Sequence, residues 1–378
     1  MPSLFLFLTN QMSKLGIALI GCGGISLQNH LPGLAMCPDV AVVALCDTDG
    51  TTLARASAQT GLDAAFTDYT EVMRRDDVQA VIVATPNVVH AELVLAAIAA
   101  GKHVFCEKPM AINYADALSM YQAAERAKVC HMTAFTYRFV PAMRYMGHLI
   151  RQGAVGQPYH FRSCRLQDWG TRNIGWRQVQ KLAGTGELGD MLSHRIDYAH
   201  FLIGEMERLV ADTKRFHDVR DGKPSDLEDW VTILADYKVG ASGVLESSKV
   251  ATGRGESAAS QDYVEVNGSE GSIVFQLEQP HQLQVTKKGE KALRVISVPQ
   301  EFLKWQGSPR DPLAGDPLFS FRYDQSFEFI DAIRNQRPCS PSFFDGALAQ
   351  GVMDAAVKSA ADRRWIEVGH LGQDLKQS

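Results

Sequence analysis

The sequence contains no long apolar run. None of its 378 residues lie in a stretch that approaches the ~18 consecutive apolar residues that span a bilayer, which excludes an integral membrane protein. It also has little excess charge of either sign, because the formal net charge is −5. A broad basic surface for nucleic acid is therefore not expected. We expect neither a membrane nor a nucleic acid as a partner, and the length of the chain suggests two domains.

Paired cysteines are missing as well. The chain has seven cysteines, an odd number, and no two of them form a Cys-x-x-Cys motif. Several of them, such as Cys46, lie within apolar runs. Buried free thiols are typical of a reducing compartment, so we expect a cytoplasmic protein without a disulfide framework or a structural zinc site.

The chain begins with a short apolar segment. Residues 1–12 lack the basic start and the small-residue cleavage site of a signal peptide. A strand-like run begins at Leu15. We therefore expect residues 1–12 to be a dispensable extension of the folded protein.

Apolar runs alternate with helical stretches in the first part of the chain. The runs predict buried strands at 15–20, 40–46, 78–84, 103–106 and 130–135. The predicted helices between them extend to about Cys37 and over 51–60, 88–100 and 113–128, the last with Asn113 as its N-cap. Each crossover must return across the sheet, so the alternation predicts an α/β fold with a doubly wound parallel sheet.

The pattern changes near residue 155. One helix is predicted over 188–203, a long loop over 302–320, and two final helices near 325–334 and 346–361. Strand-like runs are predicted at 159–167, 230–237, 242–249, 263–266, 272–275 and 283–286. Turn signals such as Asn267-Gly268 separate some of them, which is typical of an antiparallel sheet.

A glycine-rich turn follows the first predicted strand. Residues 21–26 read Gly-Cys-Gly-Gly-Ile-Ser and match the first two glycines of the dinucleotide-binding pattern G-x-G-x-x-G/A. The free N–H groups of the following helix would receive the phosphates. Asp47 ends the next strand, where its carboxylate can accept hydrogen bonds from ribose hydroxyls and repel a 2′-phosphate. The arrangement predicts NAD rather than NADP, and the alternative is a packing turn with a solvated acid.

Two further segments carry candidate catalytic groups. Lys108 follows the fourth strand directly, at the edge of a doubly wound sheet where ligands bind. On a helix, Asp190, His194 and Asp197 would share one face, and a carboxylate one turn from an imidazole can orient the ring for proton transfer. The alternatives are a surface lysine and a solvated helix face. A metal site formed by Asp190, His194 and His200 is a weaker interpretation, and we expect no metal.

The segment 167–177 is rich in hydrogen-bonding and aromatic side chains, as a polyol site requires. We expect Gln167 and Arg177 to contact substrate hydroxyls. The alternative is a surface loop with two packing tryptophans. The 302–320 loop, with Trp305, Arg310 and Asp311, could cap this pocket or that of a neighbouring subunit.

In their order and approximate spacing, these motifs resemble the Gfo/Idh/MocA oxidoreductase family over nearly the whole chain. The resemblance implies a Rossmann domain over 13–140 that binds NAD. It also implies a C-terminal α/β domain over 141–370 with an open, mainly antiparallel sheet, which binds substrate and forms a homo-oligomer, either a dimer or a tetramer. Two residues depart from the family pattern. Ser26 replaces a glycine or alanine, which bears on how closely the helix packs on the strand, and Leu192 replaces a glycine, which suggests a bulkier pocket wall or a distinct subfamily.

The resemblance also implies residue roles. Lys108 contacts the reacting hydroxyl and the nicotinamide ribose, His194 is the general base, and Asp190 supports the substrate and the base. The implied cofactor-binding residues are Gly21, Gly23, Gly24, Ile25, Asp47, Thr85, Asn87, His90, Glu107 and Lys108. The implied substrate-binding residues, with the two expected from the 167–177 segment, are Lys108, Gln167, Arg177, Asp190 and His194.

The function predicted from these roles is NAD-dependent oxidation of a secondary hydroxyl of a sugar or cyclitol, such as an inositol, to a ketone or lactone. Two alternatives remain. One is an NAD-dependent glycosidase that acts through transient oxidation, and the other is a dinucleotide-binding regulator without catalysis. The sequence shows no dedicated phosphate-binding cluster for the substrate, which favours a neutral sugar or inositol.

Overall fold

The computed structural model describes residues 14–256 and 261–368. The expected N-terminal extension, residues 1–12, lies outside them. All seven cysteines fall within the described residues and are free thiols. None of the helices in this part of the chain is long and apolar enough to cross a membrane.

The first part of the chain forms a six-stranded parallel sheet in the order β3-β2-β1-β4-β5-β6. The central strands consist of apolar residues that are buried, as a sheet covered on both faces requires. The strands are β1 Leu15–Ile20, β2 Val40–Cys46, β3 Ala65–Phe66, β4 Ala80–Val83, β5 His103–Cys106 and β6 His131–Thr133. This arrangement confirms the predicted doubly wound sheet.

Five helices connect these strands: α1 Leu31–Ala35, α2 Gly50–Thr60, α3 Tyr69–Met73, α4 His90–Ala99 and α5 Tyr114–Ala127. Asn113 caps α5 as predicted, because its side chain accepts a hydrogen bond of 2.8 Å from the Asp116 N–H. The segment after the glycine turn differs from the predicted helix, since a π-helical turn over Ser26–His30 precedes α1. β3 and α3 were not predicted, because elements of two and five residues are too short to show a hydrophobic period.

The second sheet has nine strands in the order β16-β15-β14-β13-β7-β12-β11-β8-β17. Only β7 and β12 pair in parallel, so the sheet is mainly antiparallel, as predicted. The remaining strands are β7 Pro158–Leu166, β8 Met206–Lys214, β9 Val219–Arg220, β10 Lys223–Pro224, β11 Trp230–Tyr237, β12 Ser242–Ser248, β13 Gln261–Gly268, β14 Gly271–Gln276, β15 Gln282–Lys287, β16 Arg294–Ser297 and β17 Ile366–Glu367. β9 and β10 form a separate small hairpin.

Helices of the second half join the two sheets. They are α6 Pro141–Arg151, α7 Gln180–Ala183, α8 Ser193–Leu202, α9 Asp324–Arg334 and α10 Phe343–Asp362. α10 packs against α5 and α8 and against β8, and α9 packs against α1. The hydrophobic core is therefore continuous between the two halves. A capping box between Ser342 and Asp345 begins α10.

The predicted helix over 188–203 has a different beginning. A π-helical turn occupies Leu188–Leu192, and α8 starts only at Ser193. π-helical turns are wider than α-helical ones and occur often at functional sites. This turn carries Asp190, which was predicted as a site residue.

Candidate active site

A cavity of about 1220 Å³ opens at the carboxyl ends of β1, β2, β4 and β5. This is the edge of a doubly wound sheet where ligands bind, and the cavity continues to the loop after β7. The predicted site residues that line it are Gly21, Gly23, Gly24, Ile25, Asp47, Thr85, Asn87, Glu107, Lys108, Gln167, Arg177, Asp190 and His194. The structure therefore brings to a single cavity all of the residues that the family resemblance implies for cofactor and substrate except one.

The glycine turn leaves room for a ligand. Gly21 has a φ of +88°, and a Cβ there would lie 2.5 Å from the Ala84 carbonyl oxygen, so only glycine fits. A Cβ on Gly23 or Gly24 would meet nothing within 4 Å, because these residues face the open cavity. A pyrophosphate can thus approach the backbone closely, and the turn fits a dinucleotide.

Asp47 is held in place at the end of β2. Its Oδ2 accepts a hydrogen bond of 2.8 Å from the Cys22 N–H, and its Oδ1 accepts one of 2.9 Å from the Asp49 N–H. Ser26 is fully buried, and its hydroxyl donates a hydrogen bond to the Gly21 carbonyl. The departure at Ser26 therefore does not weaken the turn, because the hydroxyl finds an acceptor within it.

His90 is the predicted cofactor residue that does not line the cavity. Its ring is fully buried, with Nδ1 3.0 Å from the Pro109 carbonyl oxygen and Nε2 3.0 Å from the Thr85 carbonyl oxygen. Burial lowers the pKa of this imidazole. The predicted cofactor contact is corrected accordingly, because both ring nitrogens face backbone carbonyl oxygens and the ring packs between the loops after β4 and β5.

Two neighbouring residues on these loops are also held by hydrogen bonds. The Asn87 amide donates a hydrogen bond of 2.9 Å to the Ala183 carbonyl oxygen. Glu107 Oε1 lies 2.8 Å from His30 Nε2. Burial alone would raise the pKa of Glu107, but the contact with His30 and the charge of Lys108 lower it. Glu107 is therefore a carboxylate at neutral pH.

Lys108, Asp190 and His194 meet in the same part of the cavity. Lys108 Nζ lies 2.6 Å from the Asp190 carbonyl oxygen and 3.0 Å from Asp190 Oδ1. Burial would raise the pKa of Asp190, but the charges of Lys108 and Arg177 outweigh it and hold that pKa well below its usual range. Asp190 is therefore a carboxylate at neutral pH.

His194 lies against two aromatic rings. The rings of Phe135 and Tyr137 are nearly perpendicular to it, with ring centroids 6.0 and 4.7 Å away. Burial, followed by the charge of Lys108 and of nearby arginines, holds the pKa of His194 well below its ordinary value of 6.5. The imidazole is thus neutral at pH 7 and can accept a proton.

The expected third member of this helix face lies elsewhere. Asp197 is buried and accepts hydrogen bonds of 2.8 and 2.6 Å from the Arg138 guanidinium, which also contacts Asp345. Asp197 follows His194 by three positions on α8, but its carboxylate is taken up by Arg138 and does not line the cavity. Leu192 and His200 also lie outside the cavity, so the departure at Leu192 does not make the pocket wall bulkier.

The predictions for the two loops expected to bind substrate, 167–177 and 302–320, are confirmed only in part. Gln167 and Arg177 line the cavity, as predicted. The Gln167 amide donates a hydrogen bond of 3.0 Å to the Glu256 carbonyl oxygen. The Arg177 guanidinium lies 4.3 Å from the Trp176 ring centroid. Both the loop over 167–177 and the loop over 302–320 reach the cavity. A proline- and glycine-rich pattern marks a loop but does not show which of its side chains turn inward.

In the 302–320 loop, the three predicted capping residues point away from the cavity. Arg310 is buried against Asp324, Trp305 donates a hydrogen bond to Glu328, and Asp311 accepts one from the Leu313 N–H. The residues of this loop that line the cavity are Asp316, Leu318 and Phe319.

Sequence reasoning missed several polar residues that line the cavity, among them Tyr137, Arg165 and Arg322. Tyr137 follows β6, and the rule that ligands bind at the carboxyl ends of parallel strands could have found it. Arg165 lies within a strand and Arg322 in a short 3₁₀ turn before α9, where no motif marks them.

We expect Asp197→Asn to affect stability and Asp190→Asn to affect activity. Removing one partner of a buried ion pair should lower the free energy of unfolding by about 3 kcal/mol for Asp197→Asn, with kcat/KM nearly unchanged. Denaturant unfolding and initial rates measure the two effects. Loss of activity in a stably folded Asp197→Asn protein would contradict this separation of roles.

We expect Asp47→Ser to weaken the discrimination against NADP. Removing a carboxylate that repels a 2′-phosphate should shift the ratio of kcat/KM for NAD to that for NADP by about tenfold or more toward NADP. The ratio is measured with one substrate and both cofactors. An unchanged ratio would mean that Asp47 does not contact the ribose.

Comparison with known proteins identifies relatives of the whole chain. The model described as "Oxidoreductase family, NAD-binding Rossmann fold" matches residues 15–135, and the GFO/IDH/MocA C-terminal domain matches residues 143–274. Levoglucosan dehydrogenase of Pseudarthrobacter phenanthrenivorans is 31% identical over 95% of this chain and 100% of its own length. Myo-inositol 2-dehydrogenase of Thermotoga maritima is 28% identical over 93% of this chain and 98% of its own.

Solved structures agree with the sequence comparison. Levoglucosan dehydrogenase in complex with NADH and levoglucosan superposes with a TM-score of 0.86 at 31% identity, covering 94% of this chain and 100% of that one. The family model and this complex confirm the predicted cofactor, NAD, for which the glycine turn and Asp47 provide a matching site. The glycine turn, the Lys108–Asp190–His194 cluster and these matches lead to one conclusion: the chain belongs to the Gfo/Idh/MocA family of oxidoreductases.

Proposed function

We propose that this protein oxidises a secondary hydroxyl of a sugar or cyclitol to a ketone or lactone. The observation that carries the proposal is the meeting of Lys108, Asp190 and His194 in the cavity that also contains the dinucleotide turn. The named relatives are dehydrogenases of levoglucosan and of myo-inositol, which supports this substrate class. NAD, when bound, supplies the acceptor for the hydride.

Lys108 is suited to stabilise negative charge on the reacting oxygen. Its ammonium group is directed by two contacts with Asp190, so it needs no reorganisation when an alkoxide develops. Asp190 keeps its own charge and can accept a hydrogen bond from a second substrate hydroxyl.

His194 is suited to accept the hydroxyl proton. A neutral imidazole is the form that can act as a base, and the burial and nearby cations that lower its pKa maintain that form at pH 7. Gln167 and Arg177 supply an amide and a guanidinium on the cavity wall, where they can hold further hydroxyls.

We also propose domain boundaries, an oligomeric state and a cellular location for this protein. We assign 13–140 to the NAD-binding domain and 141–370 to the substrate-binding domain. The nine-stranded sheet would form the interface of a homo-oligomer, for which we propose a tetramer. Its strands expose apolar side chains such as Leu234, which supports an interface there. The free cysteines suit a reducing cytoplasm.

Replacing the lysine should stop catalysis without preventing cofactor binding. We expect Lys108→Met to lower kcat by at least ~100-fold, because a preorganised group that stabilises developing charge is lost. NAD binding, measured by fluorescence titration, should persist. Lys291→Met, which changes an exposed lysine away from the cavity, is the control. Near-normal turnover by Lys108→Met would refute the assignment.

The pH dependence of the oxidation rate should report the protonation of His194. The rate of oxidation should fall as the pH decreases through the pKa of His194, because the imidazole then carries a proton and cannot accept another. Since that pKa is lowered, we expect this acid limb below pH 6.5. In His194→Gln the limb should disappear along with most of the activity. An identical profile in the variant would point to another base.

A substrate panel tests the proposal as a whole. The purified protein is incubated with NAD and, in turn, with inositols, aldoses, anhydro-sugars and glycosides, while absorbance at 340 nm reports NADH. NADH formation supports a dehydrogenase. Release of a leaving group without net NADH would indicate the glycosidase, and NAD binding without any turnover would favour the regulator.

A further inference from the structure

A buried cluster of arginines lies beside His194 and has more positive than negative charges. Arg165 Nη1 lies 3.0 Å from Asp262 Oδ2, and Arg195 Nη1 lies 3.1 Å from Asp262 Oδ1. All three side chains are at most 3% exposed. Two guanidinium groups thus share one carboxylate, and one positive charge remains without a counterion in the cavity wall.

Arg322 adds a second positive charge to the cavity wall near Tyr137. Its Nη2 lies 3.5 Å from the Tyr137 hydroxyl, and its guanidinium packs 4.7 Å from the Phe319 ring centroid. No carboxylate among residues 14–256 and 261–368 lies within ion-pairing distance of Arg322. The Nε atoms of Arg165 and Arg322 are buried, and within the described residues neither finds a hydrogen-bond acceptor.

Two neighbouring groups respond to this positive potential. Arg195, Arg322 and Arg165 all contribute, after burial and Lys108, to the lowered pKa of His194. Burial would raise the pKa of Tyr137, yet the charges of Arg165, Arg322 and Arg195 lower it. The region around the Tyr137 hydroxyl is therefore suited to an anion.

The acids of the cavity do not neutralise this region. Asp190 is paired with Lys108, and Glu256 with the exposed Arg172. Glu278 and Asp316 also line the cavity, but both are exposed. The excess positive charge thus remains in the interior, next to Tyr137, whose ring centroid is 4.7 Å from that of His194.

We propose that Arg165 and Arg322, together with the Tyr137 hydroxyl, bind a carboxylate of the substrate, so that the preferred substrate is a sugar acid. Guanidinium groups present paired N–H donors that match a carboxylate. An uncharged hydroxyl would leave the excess charge of the Arg165–Arg195–Asp262 cluster and that of the half-buried Arg322 without a counterion. The proposal rests on the dehydrogenase function above, and it differs from the neutral substrate that the sequence favours.

Pairs of substrates that differ in one group test the proposal. With saturating NAD, kcat/KM is compared for D-galactose and D-galacturonate and for D-glucose and D-glucuronate, and D-glucose 6-phosphate tests a phosphate in place of the carboxylate. We expect at least one uronate to exceed its neutral partner by about tenfold or more, as a charge-assisted contact provides. Equal values within each pair, or a preference for the phosphate, would overturn the proposal.

Variants show whether the cluster is responsible. Arg322→Gln should lower kcat/KM for the uronate at least ~10-fold more than for the neutral sugar, and Arg322→Lys should recover part of the preference because it retains the charge. Arg294→Gln removes an exposed arginine of β16 and should leave the preference unchanged. A preference that survives in Arg322→Gln would overturn the role of this residue.

A binding measurement separates failure of this inference from failure of the dehydrogenase function. D-galacturonate and D-galactose are titrated by calorimetry into the protein with NADH present. Tighter binding of the uronate, lost in Arg322→Gln, supports the carboxylate site even if no compound of the panel reduces NAD. Equal binding of the two sugars overturns it even if both are oxidised.

Discussion

The contact between Lys108 and Asp190 is the interaction on which the rest of the site depends. It joins the loop after β5 to the π-helical turn before α8, across 82 positions of the chain. Lys108 Nζ meets both the backbone and the carboxylate of Asp190, which aligns the two halves of the protein at the place where a substrate would bind. A half-buried charge without a partner is costly, so each group keeps the other ordered in the cavity.

A second set of contacts, made by residues outside the cavity, holds the segments that carry this pair. His90 bridges the backbone of the loops after β4 and β5 and so holds the segment that carries Lys108. Arg138 and Asp197 form a buried ion pair that anchors α8 to the turn after β6. None of these three side chains lines the cavity. They determine the positions of the groups that do, which is why sequence motifs can include residues that touch no ligand.

Charge distribution then determines the chemistry that the cavity can perform. Cations surround His194 on several sides and keep it neutral, which suits a proton acceptor but would not suit a proton donor in the resting enzyme. The same cations leave the interior positive around Tyr137. The same group of cations thus underlies both proposals, the one that makes His194 the proton acceptor and the one that places a carboxylate beside it.

The sequence by itself determined the two sheets and the glycine turn at Gly21, because apolar periodicity and a positive φ are local requirements that leave a local pattern. Its motifs also marked the residues of the cavity that follow the strand ends, such as Asp47 and Lys108. Only the tertiary structure decided which polar side chains converge. Arg322 and Tyr137 are 185 positions apart, and Arg165 and Asp262 are 97 apart. A contact over such a distance leaves no pattern in either segment, and its charge balance exists only once the chain has folded.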